Sequence, residues 1–240
     1  MKNRYSRHKV MPEFKNQKEL EKARIAIIGL GGTGSTCAQF LVRAGVKELT
    51  IIDYDKIEES NLQRQTMYKE ANIEESKVQV ASKNLKEINP ELEKTLVTIE
   101  DKLTEENIDD YLIYSDIIID CSDCPELKLL INDYCLKNNK PCVFASVMAT
   151  EGLLFVLEPT KVEERGCYAC IFKDKKRVGN AASHGILNTN VAQAALMQAT
   201  EAMKLAMNLE PEQDLLSFNS WTHELKRIKV KKNKNCKSCN

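Results

Sequence analysis

An α/β fold is what this 240-residue sequence predicts, with a mixed sheet whose N-terminal half is parallel and covered by helices on both faces. Three observations carry that prediction. Short β-branched runs alternate with helical stretches along the first part of the chain. A glycine-rich turn joins the first of these runs to the first long helix. In the last third the alternation breaks down, which argues for strands added in the opposite sense.

The elements follow in order. RIAII predicts a strand over 24–28, and the helix after GLGGTGS runs 33–44. Strands are expected at 48–52, 94–99 and 116–119, separated by helices at 75–88 and 104–111. Proline in the first turn marks a helix from Pro125 to Asn138, and PCVFASV reads as the strand behind it. Gly152 to Leu157 and Leu225 to Val230 are expected as later strands, the second half-buried through Leu225, Ile228 and Val230. Between them lies a long helix, Leu187 to Met207, rich in alanine, glutamine and methionine. Length fits one compact domain with a small appendage.

The turn after the first strand gives the chemistry its starting point. Gly29, Gly31 and Gly34 fit GxGxxG, the Rossmann-like arrangement that points backbone N–H groups at a phosphate. The same spacing also arises where a strand merely packs closely on a helix. Asp53 ends the next apolar run, where such a sheet presents an acid to ribose hydroxyls. Beyond it, Asn61, Gln63, Arg64 and Lys77 bring amides and fixed cations. They suit a triphosphate rather than a dinucleotide, because arginine offers a planar fork to phosphate oxygens and lysine a point charge. Asp120 and Asp123 follow a third apolar run, again at a strand's carboxyl end. An aspartate after a strand is often only a cap for the helix that CSDCPE begins, and Asp120 is read as capping or supporting the turn.

Lysine plus arginine equals aspartate plus glutamate, 35 of each, so no overall charge recruits nucleic acid or an anionic membrane. The basic C-terminal run KRIKVKKNKNCK is read as strand rather than as an RNA-binding tail. No leader with an apolar core and no apolar run near the roughly 20 residues needed to span a bilayer is visible, so a cytoplasmic protein is expected. Of nine cysteines, Cys167 and Cys170 form one CxxC and Cys236 and Cys239 another, so four thiolates can converge on one tetrahedral zinc. Free thiols or a redox pair are the alternative. A four-cysteine zinc site has no open position and would be structural. Cys37, Cys121, Cys124, Cys135 and Cys142 lie in apolar settings and read mostly as small core residues.

GLGGTGS, DYDKIEESNLQRQ, SKVQVA, IIIDCSD and the paired CxxC motifs together resemble the MoeB/ThiF family, relatives of the ubiquitin-activating enzymes. The resemblance runs from about Arg4 to Cys239. It implies one adenylation domain over residues 1–240: an N-terminal arm and helix at 1–23, a nucleotide-binding half at 24–147, and a crossover, long helix, C-terminal strands and zinc knuckle at 148–240. It further implies ATP, Mg2+ and Zn2+ as cofactors and a homodimer. In RYSRH the second arginine, Arg7, would reach the partner's nucleotide phosphates, and His8 replaces the family's glutamine.

By the same resemblance, Gly29, Gly31, Gly32, Gly34, Asp53, Ser60, Asn61, Gln63, Arg64, Lys77, Asp123 and Cys124 line the ATP site. Arg7, Arg64, Lys77 and Asp123 are the catalytic set, with Asp123 holding magnesium. Relatives usually carry asparagine where this chain has Cys124.

The implied reaction is adenylation of a carboxylate with release of pyrophosphate. The expected substrate is the C-terminal glycine of a ubiquitin-like sulfur carrier. A small-molecule carboxylate in cofactor biosynthesis is the alternative, as with the guanylylpyridinol precursor of the methanogen iron-hydrogenase cofactor. A noncatalytic nucleotide-binding scaffold is the reading from another class. No cysteine occurs between Ile171 and Asn235, where relatives carry one for thioester or persulfide linkage near the position of Ala181. His184 and Asn188, in a segment that departs from the family's, are either substrate contacts or ordinary helix-start residues.

Overall fold

The computed structural model describes residues 3–172 and 184–240. Ala181 and its neighbours therefore lie outside the described residues. One eight-stranded sheet runs through the chain in the order β3-β2-β1-β4-β5-β6-β7-β8. Its parallel part comprises β1 (Arg24–Ile28), β2 (Glu48–Ile52), β3 (Leu96–Ile99), β4 (Ile117–Asp120) and β5 (Cys142–Met148). β6 (Glu151–Leu157), β7 (Leu215–Asn219) and β8 (Glu224–Ile228) continue it antiparallel. β1 and β4 are near-continuous apolar runs because both their faces are covered. Ile27 sits in register between Ile51 and Ile119, at the centre of the sheet.

Helices α3 (Gly32–Ala44), α4 (Lys77–Ile88) and α9 (Asn188–Ala206) pack on one face, around Ile25, Ile27, Leu41, Leu85 and Ala199. The other face carries α5 (Ile108–Leu112), α6 (Pro125–Lys137), α7 (Val162–Arg165) and α8 (Tyr168–Phe172), around Ile28, Ile118, Ile131 and Phe144. Small residues on the inner stripe of α9, Ala194, Ala195, Ala199 and Ala202, are fully buried and let it lie close to α3 and the sheet. Two short helices, α1 (Ser6–Lys9) and α2 (Gln17–Lys22), form the arm. It is tied to the far ends of the long helices: the Gln17 amide donates to Ala44 O at 2.9 Å, and the Asn16 amide to Met207 O at 2.9 Å.

The expected elements are present, most with shifted ends; one strand is additional and one expected strand differs in burial. LLSFN forms β7, a strand without a legible signature in the sequence, because five residues carry too short a pattern to be separated from a helix or loop. The segment expected as a half-buried strand is β8, and all five of its residues are exposed. Leu225 and Ile228 are three apart and so cannot share a face of a strand. β8 also lies at the sheet edge, beyond the last covering helix. The helix expected over 104–111 is the single short α5, ending at Leu112.

Candidate active site and metal centre

Three loops meet where the carboxyl ends of β1, β2 and β4 lie side by side, the crevice where open α/β sheets bind ligands. After β1 the chain turns at Gly29, whose φ of +86° lies in the left-handed region and whose N–H donates to Ile52 O at 2.8 Å. A Cβ on Gly34 would sit 1.8 Å from the Gly29 carbonyl oxygen, so α3 approaches the turn as only glycine allows. Gly31 caps α3 with no side-chain bond, and the space beside it is open apart from the Gln65 amide nitrogen, 3.6 Å from where a Cβ would stand. The first-turn N–H groups of α3 form a helix N-terminus of the kind that can take an anion.

Asp53 is buried, and its carboxylate accepts from the N–H of Leu30 at 2.5 Å and of Asp55 at 2.8 Å. It braces the turns after β1 and β2 against each other. Burial pushes its carboxyl above the usual range, against the pull of those two N–H groups and the Lys77 charge. Tyr68 holds the same turn from the other side, donating to Leu30 O at 2.8 Å. Lys77, the first residue of α4, is buried with its ammonium 2.8 Å from the half-exposed Asp55. Asp55 was not named from the sequence, although its place in DYD, two residues after Asp53, is a usable signal.

Arg64 is half-buried and donates to Ser60 O at 2.9 Å; its backbone lies against Gly32, over the start of α3. Ser60 bonds Glu58, and buried Asn61 accepts from the Glu58 N–H at 3.3 Å, so these two side chains hold the loop that carries Arg64. Gln63 is exposed. Its neighbour Gln65, which the sequence reading passed over, is buried with its amide oxygen unpartnered.

Asp123 is exposed and makes no hydrogen bond or ion pair among the described residues. It does not cap α6: Cys124 holds the cap position, with its thiol 3.2 Å from Glu126 Oε2. The phenol of exposed Tyr54 is pushed up by the Asp55 charge first, then by partial burial and by Asp123, Asp53 and Cys124. Beneath Asp123, fully buried Asp120 pairs with buried Lys128 and accepts from the Ser122 hydroxyl at 2.6 Å, and Lys128 also donates to Ala145 O at 2.7 Å. Cys121 is not simple core filler, since its thiol donates to Gln198 Oε1 at 3.3 Å. Cys37, Cys135 and Cys142 are fully buried.

Arg7 is exposed on the arm and is not brought to this cleft. Its neighbour Tyr5 lies against Gly45, at the opposite end of α3 from Gly31. Thirteen helical residues separate the two ends, a distance of about 20 Å. His184 is exposed, and Asn188 opens α9 with its carboxamide accepting the Thr189 N–H at 2.8 Å, an ordinary helix-start role.

The two CxxC pairs converge on the other face. Cys167 and Cys170 sulfurs are 3.8 Å apart, Cys167 and Cys236 3.7 Å, and Cys170 and Cys239 3.5 Å. A tetrahedron of Zn–S bonds near 2.3 Å has edges of about 3.8 Å, so the four sulfurs fit zinc with every position filled. All four lie within 4.8 Å of one another. Convergence of sulfurs 69 residues apart favours the metal site over two separate redox pairs.

Comparison with known proteins agrees with this geometry. The ThiF family profile matches residues 5–238. The sulfur carrier protein ThiS adenylyltransferase of Escherichia coli K12 is 32% identical over 240 residues, spanning 98% of this chain and 94% of that protein. The SAMP-activating enzyme E1 of Haloferax volcanii is 30% identical over 244 residues, covering 99% and 88%. Among solved structures, E. coli MccB with MccA-N7isoASN superposes with a TM-score of 0.85 over 100% of this chain and 76% of that one, at 23% identity, a likeness of fold. No helix among the described residues is long and apolar enough to cross a membrane. A family match over residues 5–238 and relatives named adenylyltransferases that align over nearly the whole chain establish that the chain belongs to the ThiF family and is an ATP-using adenylyltransferase.

Proposed function

We propose that the substrate is a ubiquitin-like sulfur carrier, whose C-terminal glycine carboxylate attacks the α-phosphorus of ATP to give an acyl adenylate and pyrophosphate. The observation that carries this reading is the match, over nearly the whole of both chains, to an enzyme named for adenylating the carrier ThiS. The residues that support it lie together at the carboxyl ends of β1, β2 and β4.

The first turn of α3 receives the phosphates, and Asp53 takes the ribose hydroxyls with its remaining lone pairs. Lys77 and Arg64 stabilise the negative charge that grows on the leaving pyrophosphate. For Lys77 this means exchanging Asp55 for phosphate, a change that frees the Asp55 carboxylate. Asp123, exposed and uncommitted, is suited to magnesium, which takes one or two carboxylates plus phosphate oxygens. Bound there, magnesium supplies charge neutralisation at the phosphates. Arg7 completes the phosphate site of a partner subunit in a homodimer, since about 20 Å separates its arm from this chain's own turn. With no cysteine from Ile171 to Asn235, the enzyme stops at the adenylate and leaves sulfur delivery to another protein.

Exchange of labelled pyrophosphate into ATP tests the reading. A Gly-Gly-ended sulfur carrier is expected to drive it. Exchange with small carboxylates alone would transfer the protein to cofactor building, and nucleotide binding with no exchange under any substrate would make it a scaffold.

A further inference from the structure

One buried side chain beside the start of α3 is left with nothing to bond. Gln65 is 3% exposed, and its amide oxygen has no hydrogen-bond partner. Its amide nitrogen donates to nothing among the described residues either. An unpaired buried amide lowers stability, and methionine would fill nearly the same space without that loss. Packing alone therefore favours an apolar residue at this position.

The amide is nonetheless held in a defined place. The Gln65 N–H donates to Asn61 O at 3.0 Å, and its carbonyl accepts the Tyr68 N–H at 3.1 Å. Tyr68 in turn donates its hydroxyl to Leu30 O at 2.8 Å, which ties the turn carrying Gln65 to the turn after β1. The amide nitrogen comes to rest next to Gly31, the residue that caps α3, 3.6 Å from where a Cβ would stand.

Gly31 differs from the glycines around it. Gly29 takes a left-handed φ, Gly32 has Val191 2.4 Å from its Cβ position, and Gly34 has the Gly29 carbonyl oxygen at 1.8 Å. Each of these three is required by the protein itself. Gly31 has a φ of −68°, and apart from its chain neighbours only the Gln65 amide nitrogen comes within 4 Å of its Cβ position. A methyl group fits there, so packing does not call for glycine. A glycine in such a place lets a phosphate approach the backbone.

Both features coincide at the N-terminus of a 13-residue helix, whose first-turn N–H groups favour an anion. Arg64 and Lys77 must each release a partner to reach a phosphate, Ser60 O for one and Asp55 for the other. Gln65 has none to release. We infer that the side-chain NH2 of Gln65 donates to a phosphate oxygen of the bound nucleotide, seated over Gly31 at the first turn of α3. Glutamine stands here for that contact rather than for the fold. This rests on the seating of the phosphates at α3 in the proposed function, and it holds whichever carboxylate is adenylated.

Titration calorimetry on the full chain, with ATP plus magnesium and separately with adenosine, tests the contact in Gln65→Met and Gly31→Ala. Gln65→Met is expected to weaken ATP about tenfold, the loss of one hydrogen bond to a charged group, while adenosine affinity stays unchanged. Its Tm without nucleotide is expected to equal or exceed that of the unaltered protein, because the unpartnered oxygen is gone. Gly31→Ala is expected to weaken ATP at least as much. If only Gly31→Ala weakens ATP, the Gln65 contact is overturned and the phosphate seat stands. If neither variant does, the seat is removed as well. Equal losses for ATP and adenosine in Gln65→Met would move Gln65 to the nucleoside, and a lowered Tm would make it a structural residue; either result overturns the inference.

Discussion

Replacing Lys128 with methionine isolates the buried pair under the loop that carries Asp123. Lys128 is 3% exposed and Asp120 fully buried, and the ammonium also satisfies Ala145 O. Methionine fills nearly the same volume, so little cavity forms. What remains is an Asp120 carboxylate with the Ser122 hydroxyl and N–H as its side-chain partners. Removing one member of a buried pair costs roughly 3–5 kcal/mol, chiefly because the other charge is left uncompensated. In a chain of this length that corresponds to a fall in Tm of roughly 10 °C. The Asp120→Asn/Lys128→Met double variant removes the stranded charge and keeps an acceptor for Ser122, so it is expected to regain at least half of the loss. Urea unfolding of the two singles and the double, read as a double-mutant cycle, gives the coupling directly. A loss under about 1 kcal/mol in the single variant, or a double variant equal to the sum of the singles, would show that the pair does not organise this loop.

Asp123→Asn should leave Tm unchanged, because the side chain is exposed and unbonded, while lowering pyrophosphate exchange by about 10²-fold or more and shifting its magnesium requirement upward; normal exchange at low magnesium would remove the metal role. Elemental analysis should find one zinc per chain, and chelation or Cys236→Ser should lower Tm by several degrees, whereas metal-free protein of equal stability would return the four cysteines to thiols. Asp53 supplies a pH dependence. Burial raises its folded pKa, so its contribution to stability is fully present below the unfolded value of about 3.9 and is lost as pH rises through the higher folded value. Compared with Asp53→Asn, the unaltered protein should therefore lose relative urea stability from pH 4 upward, and a relative gain over that range would reverse the assignment.

Where the candidate residues fall along the fold was legible because their placement is local. The glycine turn, Asp53, Lys77 and Asp123 each sit just after a strand or at a helix start, and spacing along the chain reports that placement directly, whereas Arg64 lies in the turn after Asn61. What escaped depends on contacts between distant segments. Lys128 reads as a solvent lysine on a helix until the pairing of β4 with β5 brings Asp120 and Ala145 to its ammonium. Cys121 looks like core filler until α9 brings Gln198 to its thiol. Gln65 differs from Gln63 only in which side of a short turn faces inward, which no pattern of two residues can encode. β8 misled for a related reason: apolar residues in a run suggest burial, but an edge strand has cover only where another element supplies it.

The four-thiol centre has a consequence for how the C-terminal third comes apart. A metal held there would join Cys167 and Cys170 to Cys236 and Cys239 and close a ring of about 69 residues that contains α9, β7 and β8. For a loop of that size, chain-entropy reasoning gives a restriction of the unfolded ensemble of about 4 kcal/mol. The exposed hairpin, with few contacts of its own, is thereby fastened at both ends. Local opening of β8 cannot spread into a free chain end, so loss of the edge must proceed as opening of the whole ring or as release of the metal.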